Sequence, residues 1–363
     1  MRRFVLAAAA VLACNNGSGQ GSGFSTSITT APVGTSTTGG GETTASTTTS
    51  GATGTGEDSA AGSSAESSSS SVGGIPDGGV PPDGGDKPPA GCKGKIDFVF
   101  TISSAWTMEV AQGWLKSSFP GFIGTLESEF AEFDYHILSA NTSPLWGHPV
   151  LCANCEDFCP EVPEYPCGVK PEPCDTVRGA GVTYPIGEHA SNKRCDLASG
   201  RRYITAGQPE LEDAFTCIAS VGVNGADNVA EVTMNALTEE INEPGGCDAG
   251  FLREDALLVV VAIQDTWDEF SAGTPQDWAD ALVEAKGGDA DAVVLLVITN
   301  DIDDPDGLCG YIGVPPGYHE LRTWTELMPH SVFGSICNEA GYASYFAEAA
   351  AKIKTQCDVF VPQ

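Results

Sequence analysis

The hydrophobic pattern of the chain alternates between short apolar runs and segments with helical spacing. Residues 96–102 are rich in apolar and β-branched residues, and continuous apolar runs cover 256–263 and 292–298. Runs that are apolar on both faces are typical of strands inside a sheet that is covered on two sides. A further strand is predicted over 133–138. The pattern therefore predicts a largely buried central sheet.

Segments with helical spacing separate these strands. The first, 108–130, spaces its apolar residues at helical intervals, and Pro120 predicts a break in it. An edge strand is predicted over 358–362. Strands that alternate with helices imply an α/β fold with a doubly wound, mostly parallel sheet, Rossmann-like in layout. The other predicted helices cover 209–220, 228–242, 276–285 and 341–354.

Residues 1–13 have the layout of a signal peptide, because Arg2 and Arg3 precede an apolar run. That run is too short to span a bilayer, which requires roughly 20 apolar residues. It ends in Val-Leu-Ala-Cys, which resembles the lipobox of bacterial lipoproteins and implies a lipid on Cys14. The alternative is an ordinary secretory signal. Asn15 implies, through the same resemblance, sorting to the outer membrane of a Gram-negative bacterium.

The segment 14–91 is predicted to combine the lipid anchor with a disordered linker. Ser, Thr, Gly and Ala dominate it, and such a composition buries too little apolar surface to offset the entropy of ordering. A Gly/Ser-type coil of this length has a mean reach of about 50 Å. Residues 92–363 are enough for one large domain, so we expect a domain displayed from the cell envelope.

The formal net charge is −32 at pH 7. Nucleic acids and anionic membranes select for Lys and Arg, so an acidic chain argues against both as partners. Membrane contact is expected only through the lipid anchor. The acidity is compatible with solubility or with divalent cations.

The thirteen cysteines fit an exported protein. With Cys14 assigned to lipid, twelve remain, an even number that predicts up to six disulfides in an oxidising compartment. Several lie in a Pro-rich stretch, which predicts a disulfide-rich loop insertion over about 146–200. The spacing of Cys152, Cys155 and Cys159 leaves a zinc site open. A redox pair at Cys152 and Cys155 is a further alternative.

One stretch carries a family resemblance. The sequence Lys-Ile-Asp-Phe-Val-Phe-Thr-Ile-Ser-Ser-Ala-Trp-Thr-Met at 95–108 resembles the first strand and metal loop of von Willebrand factor A-like domains of secreted bacterial lipoproteins. Shorter matches follow at 203–204, 215–222, 252–255, 333–337 and 357–362. The resemblance implies a von Willebrand A-like α/β domain that binds protein, with a divalent metal at the carboxyl ends of its strands.

The chain departs from the metal pattern that the resemblance implies. Ser103 stands where the family has its first Asp, Ala105 replaces the first Ser, and Thr107 replaces the second. Val223 stands in place of the Thr, and only Asp265 keeps a carboxylate. Two hydroxyls and one carboxylate make a poor Mg²⁺ site. We therefore expect a degenerate metal site at Ser103, Thr107 and Asp265, with Trp106 and Trp267 as a nearby apolar contact patch.

A second cation candidate is the acidic segment 301–307. An EF-hand order counted back from Gly307 fails at Ile302, so Ca²⁺ is weighed here against a solvated acidic turn. No cofactor is firmly predicted, and Mg²⁺ or Ca²⁺ stays open. The carboxylates of this candidate loop belong to Asp301, Asp303, Asp304 and Asp306.

Enzyme signatures are absent from the sequence of the predicted domain. It contains no Gly-x-Ser-x-Gly elbow, no His-Glu-x-x-His and no phosphate-binding Gly-x-x-x-x-Gly-Lys. We expect a non-enzymatic envelope lipoprotein that binds a protein partner at the cell surface or in the periplasm. An extracytoplasmic hydrolase remains the alternative, because catalytic triads are spatial. A deep pocket with His and carboxylates would favour catalysis, and a shallow acidic or aromatic edge would favour binding.

Overall fold

The computed structural model describes residues 94–142, 171–223, 227–268, 270–314 and 319–360. The strands in this part of the chain are β1 (Lys95–Ile102), β2 (Asp134–Ala140), β3 (Ile204–Thr205), β4 (Leu257–Ile263), β5 (Val293–Thr299) and β6 (Ser331–Ser335). They form one sheet in the order β3-β2-β1-β4-β5-β6. Four neighbouring pairs are parallel, and β3 is antiparallel to β2. The prediction of an α/β fold with a mostly parallel sheet is confirmed.

Seven α-helices accompany the sheet in the described residues. They are α1 (Glu109–Glu129), α2 (Leu211–Ala219), α3 (Val229–Ala236), α4 (Glu239–Asn242), α5 (Pro275–Glu284), α6 (Glu320–Leu327) and α7 (Ala343–Val359). Because the main strands are parallel, their ends define two edges of the sheet. We call the edge where they begin the amino edge and the edge where they end the carboxyl edge.

Both faces of the sheet are buried, which explains the continuous apolar runs. In β4, Val259 and Val261 face one side and Val260 faces the other, and all three are buried. The first side is covered by α1, α2 and α7, with Phe122 of α1 prominent. The second side is covered by α3, α5 and α6, with Trp278 of α5 fully buried. Burial of each such large side chain stabilises the fold by roughly 1.5–3 kcal/mol.

Helix α1 continues through Pro120, so the predicted break is wrong. A proline inside a helix removes one backbone hydrogen bond and clashes with the preceding turn. In α1, however, Phe119, Phe122 and Ile123 are all buried in the core beside the sheet. The packing of these side chains outweighs the lost hydrogen bond.

Two other predicted elements differ in the structure. The segment 228–242 forms α3 and α4 because Thr238 between them has an extended backbone. The predicted edge strand over 358–362 is wrong where it is described, since α7 runs to Val359. Ile353, Gln356 and Cys357 are buried at helical spacing, which keeps this segment helical. Residues 361–363 lie outside the described residues.

Disulfides are present, as predicted from the cysteine count. They link the irregular segments after β2 and β5 covalently to other parts of the domain. Cys357 is disulfide-bonded as well. The zinc and redox alternatives at Cys152, Cys155 and Cys159 lie outside the described residues, as do Cys14 and the linker. The pairs seen are Cys174–Cys247, Cys195–Cys217 and Cys309–Cys337.

A buried charge cluster lies at the amino edge. Asp97 in β1 is fully buried and accepts the backbone N–H and the Nε–H of Arg253, both at 2.8 Å. Arg253 also donates to Asp134 at 2.6 Å, and Lys286 donates to the Arg253 carbonyl at 2.7 Å. Burial raises the pKa of Asp97 to about 6, although Arg253 opposes the shift. These contacts join β1, β2 and the segment before β4.

Helix α5 begins at a capping box. The Thr274 hydroxyl accepts the N–H of Asp277 at 3.3 Å, and the Asp277 carboxylate accepts the N–H of Thr274 at 2.8 Å. We expect Thr274→Ala to lower the free energy of unfolding by about 1 kcal/mol, because free helix N–H groups lose their acceptor. Urea unfolding measures the loss. Thr355→Ala on the exposed side of α7 is the control, with a change within about 0.5 kcal/mol; equal losses would contradict this role for Thr274.

Candidate functional site at the carboxyl edge

The carboxyl edge brings together residues that the sequence separates widely. Thr107, in a short 3₁₀ helix after β1, donates its hydroxyl to Oδ1 of Asp265 after β4, at 3.0 Å. Ser103 is fully buried, and its Oγ accepts the N–H of Ala105 at 3.2 Å. The structure therefore joins Thr107 directly to Asp265, whereas the Ser103 hydroxyl is engaged within its own loop.

Gln112 holds two of the predicted loops together. Its buried Nε2 donates to the carbonyl oxygens of Ser103, at 3.1 Å, and Gly222, at 2.8 Å. Gly222 has a φ of 81°, and a Cβ there would lie 2.8 Å from the Glu188 oxygen, so only glycine fits. Val223, at the position of the family's Thr, is buried. The loop that contains Gly222 and Val223 therefore presents an apolar side chain where the family has a threonine hydroxyl.

Asp265 is tied to its neighbours through both side chain and backbone. Asn300, after β5, donates its side-chain amide to the Asp265 carbonyl at 3.0 Å. Burial raises the pKa of Asp265 above its ordinary value, opposed by the Thr107 hydrogen bond and reinforced by Asp227. The loops after β1 and β5 thus both bind Asp265 in the loop after β4, the first through its carboxylate and the second through its carbonyl.

The loop after β4 is also fixed to the N-terminus of α3. Asp268 accepts the N–H of Ala230 at 2.8 Å, and Ser271 accepts the next N–H of that helix at 2.9 Å. Helix N-termini leave N–H groups without acceptors, and these side chains supply them. Burial raises the pKa of Asp268 to about 6. The result is a loop held at several points, which positions Asp265.

The side chains at this edge differ from the ligands that a magnesium ion requires. Mg²⁺ requires near-octahedral oxygen ligands, with carboxylates to balance its charge. Here the only carboxylate of the three predicted ligands is Asp265, already hydrogen-bonded to Thr107, and the Ser103 oxygen is an acceptor for Ala105. These donors do not fit a magnesium ion, so no step of the proposed function depends on one.

The acidic segment 301–307 forms a hydrogen-bonded turn. The buried Asp301 carboxylate accepts the N–H groups of Leu308, at 2.7 Å, and Cys309, at 2.8 Å. The side chains of Asp301, Cys309 and Cys337 lie within 4.8 Å of one another, a spacing compatible with metal binding. Because the two sulfurs are bonded to each other, neither is a thiolate that could bind a metal.

The other carboxylates of this segment point to separate partners. Asp303 forms an ion pair with Nε of Arg322 at 2.9 Å. Asp304 accepts the N–H of Asp306 at 3.0 Å, and the Asp306 side chain is exposed. Carboxylates with different partners fit an acidic turn better than a calcium loop. The turn fixes the path of the chain that follows it.

Exposed large apolar side chains concentrate at the carboxyl edge. Trp106 is 80% exposed. The second predicted contact residue, Trp267, is half-buried and interacts with other residues of the chain. We define the apolar rim as Trp106, Val110, Phe270, Leu308, Tyr311 and Ile312, all exposed and all in or beside the loops that follow β1, β4 and β5. The other two such side chains in the described residues, Leu327 and Val359, lie at helix ends near the amino edge.

The described histidines contact four different elements. Burial lowers the pKa of His136 and of His319 to about 4, so both are neutral at pH 7 and weak as general bases. His148 lies outside the described residues. The polar contacts are Phe251 O for His136, Thr299 for His319, Asp291 for His330 and Glu109 for His189.

No protein-family model matches the chain, and a search of curated proteins finds no similar sequence. In the part of the chain that the structure describes, no helix is both long and apolar enough to cross a membrane. The geometry of the carboxyl edge therefore carries the functional argument.

Sequence reasoning missed several residues of this edge. Gln112 and Asn300 act through buried side-chain amides that no motif marks. The apolar rim left a weak signal, because Phe270 stands among polar residues and Tyr311 and Ile312 lie between glycines. Apolar side chains in a turn-forming segment have little core to join, which indicates surface contact.

Proposed function

We propose that this chain is a lipid-anchored cell-envelope protein whose von Willebrand factor A-like domain binds another protein at the carboxyl edge, without catalysis. The observation that carries the proposal is the apolar rim: six of the eight exposed large apolar side chains in the described residues lie in or beside the loops at this edge. Monomeric proteins rarely expose contiguous apolar patches, and such patches mark interaction sites. Trp is also enriched at the energetic centres of protein interfaces, and Trp106 is 80% exposed.

The order of the strands in the sheet also supports the carboxyl edge as the binding site. In open α/β sheets, ligands bind outside the carboxyl ends of the strands, where the strand order reverses. Here the reversal lies between β1 and β4, which are neighbours in the sheet but not in sequence. Thr107 follows β1 and Asp265 follows β4, so their hydrogen bond spans this point. The resemblance at 95–108 covers the first of these loops, and the metal pattern that the resemblance implies places Asp265 in the second.

Rigidity supports binding by a preformed surface. Gln112 and Asp268 each fix an edge loop through a buried hydrogen bond, and Asn300 does so through a partly buried one. Loops that are ordered before association lose less entropy when a partner docks. The proposed linker, with a mean reach of about 50 Å, would present this surface away from the membrane.

Site-specific cross-linking in cells tests the proposal. A photoreactive amino acid replaces Trp106 in the full-length chain, and the same substitution at Leu327 is the matched control, since both positions are exposed. We expect a discrete protein adduct from position 106 and none from position 327. Mass spectrometry then identifies the adduct.

Equal adducts from both positions would contradict an edge-specific interface. The hydrolase alternative is tested on the same preparation with peptide and ester libraries. If the protein hydrolyses a library member and position 106 gives no adduct, the binding proposal is wrong and the hydrolase alternative is supported.

A further inference from the structure

Four of the loops at the carboxyl edge together carry negative charge without positive charge, whereas the segment after β2 also contains arginine and lysine. The segments after β1, β4, β5 and β6 cover 103–108, 264–274, 300–319 and 336–342, and none contains Lys or Arg. Described carboxylates at this edge that are partly or fully exposed belong to Glu109, Asp227, Asp265, Asp304, Asp306 and Glu339. The apolar rim is therefore set among anionic side chains.

Most of the described arginines near the sheet form ion pairs, and in the segment after β2 Arg178 pairs with Glu231 at 2.8 Å and Arg194 pairs with Glu172 at 3.0 Å. Arg253 and Lys286 belong to the charge cluster at the amino edge, and Lys95 pairs with Asp255 there at 2.6 Å. Arg322, in α6 beside the carboxyl edge, forms an ion pair with Asp303 and packs over the ring of Phe333 at 4.2 Å. The four loops after β1, β4, β5 and β6 are therefore the anionic part of this edge.

We propose that the partner of the carboxyl edge is a basic protein segment in which Lys or Arg alternates with apolar side chains. This inference rests on the proposed function and names its partner class. The apolar side chains would pack on the rim around Trp106, and the cations would pair with exposed carboxylates such as Asp306 and Glu339. Complementary charge raises association rates and rejects partners of the same sign.

Other occupants fit the edge less well. A second copy of this chain would place one anionic edge against another, and like charges across an interface oppose association. A membrane with anionic headgroups would meet the same repulsion. A basic segment with apolar side chains matches both the charge and the apolar rim.

Matched synthetic peptides test the inference on the purified full-length chain. Three fluorescent peptides share the same Leu and Trp positions and carry Lys, Ser or Glu between them. We expect the Lys peptide to bind at least about tenfold more tightly than the Ser peptide, and the Glu peptide not to bind; tenfold corresponds to about 1.4 kcal/mol. Fluorescence anisotropy at low and high salt measures the affinities, and high salt should weaken binding by screening.

Variants localise the effect to the edge. Asp306→Lys with Glu339→Lys reverses two exposed edge charges, and Glu326→Lys with Glu348→Lys makes the same net change on exposed positions of α6 and α7. Trp106→Ser is matched by Leu327→Ser, since both residues are exposed. We expect each edge variant to lose about tenfold or more in affinity for the Lys peptide, and each control to lose less than about twofold.

The outcomes separate the inference from the proposed function. If the Ser peptide binds as well as the Lys peptide and the edge variants still weaken it, the basic partner is wrong and edge binding stands. If the Lys peptide binds edge and control variants equally, the attraction is general and the inference fails. Its failure leaves the cross-linking at Trp106 to decide the proposed function independently.

Discussion

Replacing Cys14 by alanine is expected to release nearly all of the protein from the membrane fraction. Each buried CH₂ of an acyl chain contributes roughly 0.8 kcal/mol to membrane binding, so the loss of several chains removes the anchor. No helix among the described residues is long and apolar enough to replace it. Fractionation of cells that express the full-length chain, followed by immunoblotting, measures the shift.

The same variant is expected to fold normally, because the change lies far from the domain in sequence. Its urea midpoint should match that of the detergent-solubilised native chain. Ser18→Ala in the predicted linker is the control and should stay in the membrane fraction. Retention of the Cys14→Ala chain on membranes would show that the lipobox resemblance is misleading.

Arg253→Met should produce the largest loss of stability among single changes at the amino edge. The substitution leaves Asp97 fully buried without its partner, and removal of one partner from a buried ion pair costs about 3–5 kcal/mol. Arg178→Met is the control: its side chain is 32% exposed and pairs with Glu231 at 2.8 Å. A partly exposed pair contributes at most about 1 kcal/mol.

The loss in the free energy of unfolding that Arg253→Met causes should depend on pH. The folded-state pKa of Asp97 is raised to about 6 from an ordinary 3.8, so its contribution to stability is fully present below about pH 4 and declines as pH rises through 6. Without Arg253 the pKa rises further, because the guanidinium lowers it in the native chain. Urea unfolding should therefore show a larger loss at pH 8 than at pH 5. A loss that is the same at both pH values would contradict this account.

The sequence predicted the parts of the fold that burial dictates. The strands β4 and β5 are apolar on both faces, so their runs are unmistakable, and β1 is rich in apolar residues although Asp97 and Thr101 lie on one of its faces. The strands β3 and β6 were missed because they are short and carry polar residues. Helix α6 was missed because only Leu321, Trp324 and Thr325 of its residues are buried, which leaves a brief apolar pattern.

The candidate site was predictable only in part. Strand ends placed Thr107 and Asp265 at one edge, because parallel strands finish on the same side of a sheet, and the two side chains meet there. The apolar rim depends on loop paths that no local pattern encodes. Leu308 is exposed because the chain turns around Asp301, whose carboxylate accepts the N–H groups of residues 308 and 309.

The Cys309–Cys337 disulfide has a consequence for the order of events in assembly. It joins the loop that carries Leu308, Tyr311 and Ile312 to the loop after β6 across 28 residues of sequence. Closing a loop of this size by a covalent bond removes about 3–4 kcal/mol of chain entropy from the unfolded state. A chain whose thiols are still reduced lacks this constraint. If the chain is exported, as we propose, oxidation would fix the proposed recognition surface only after export.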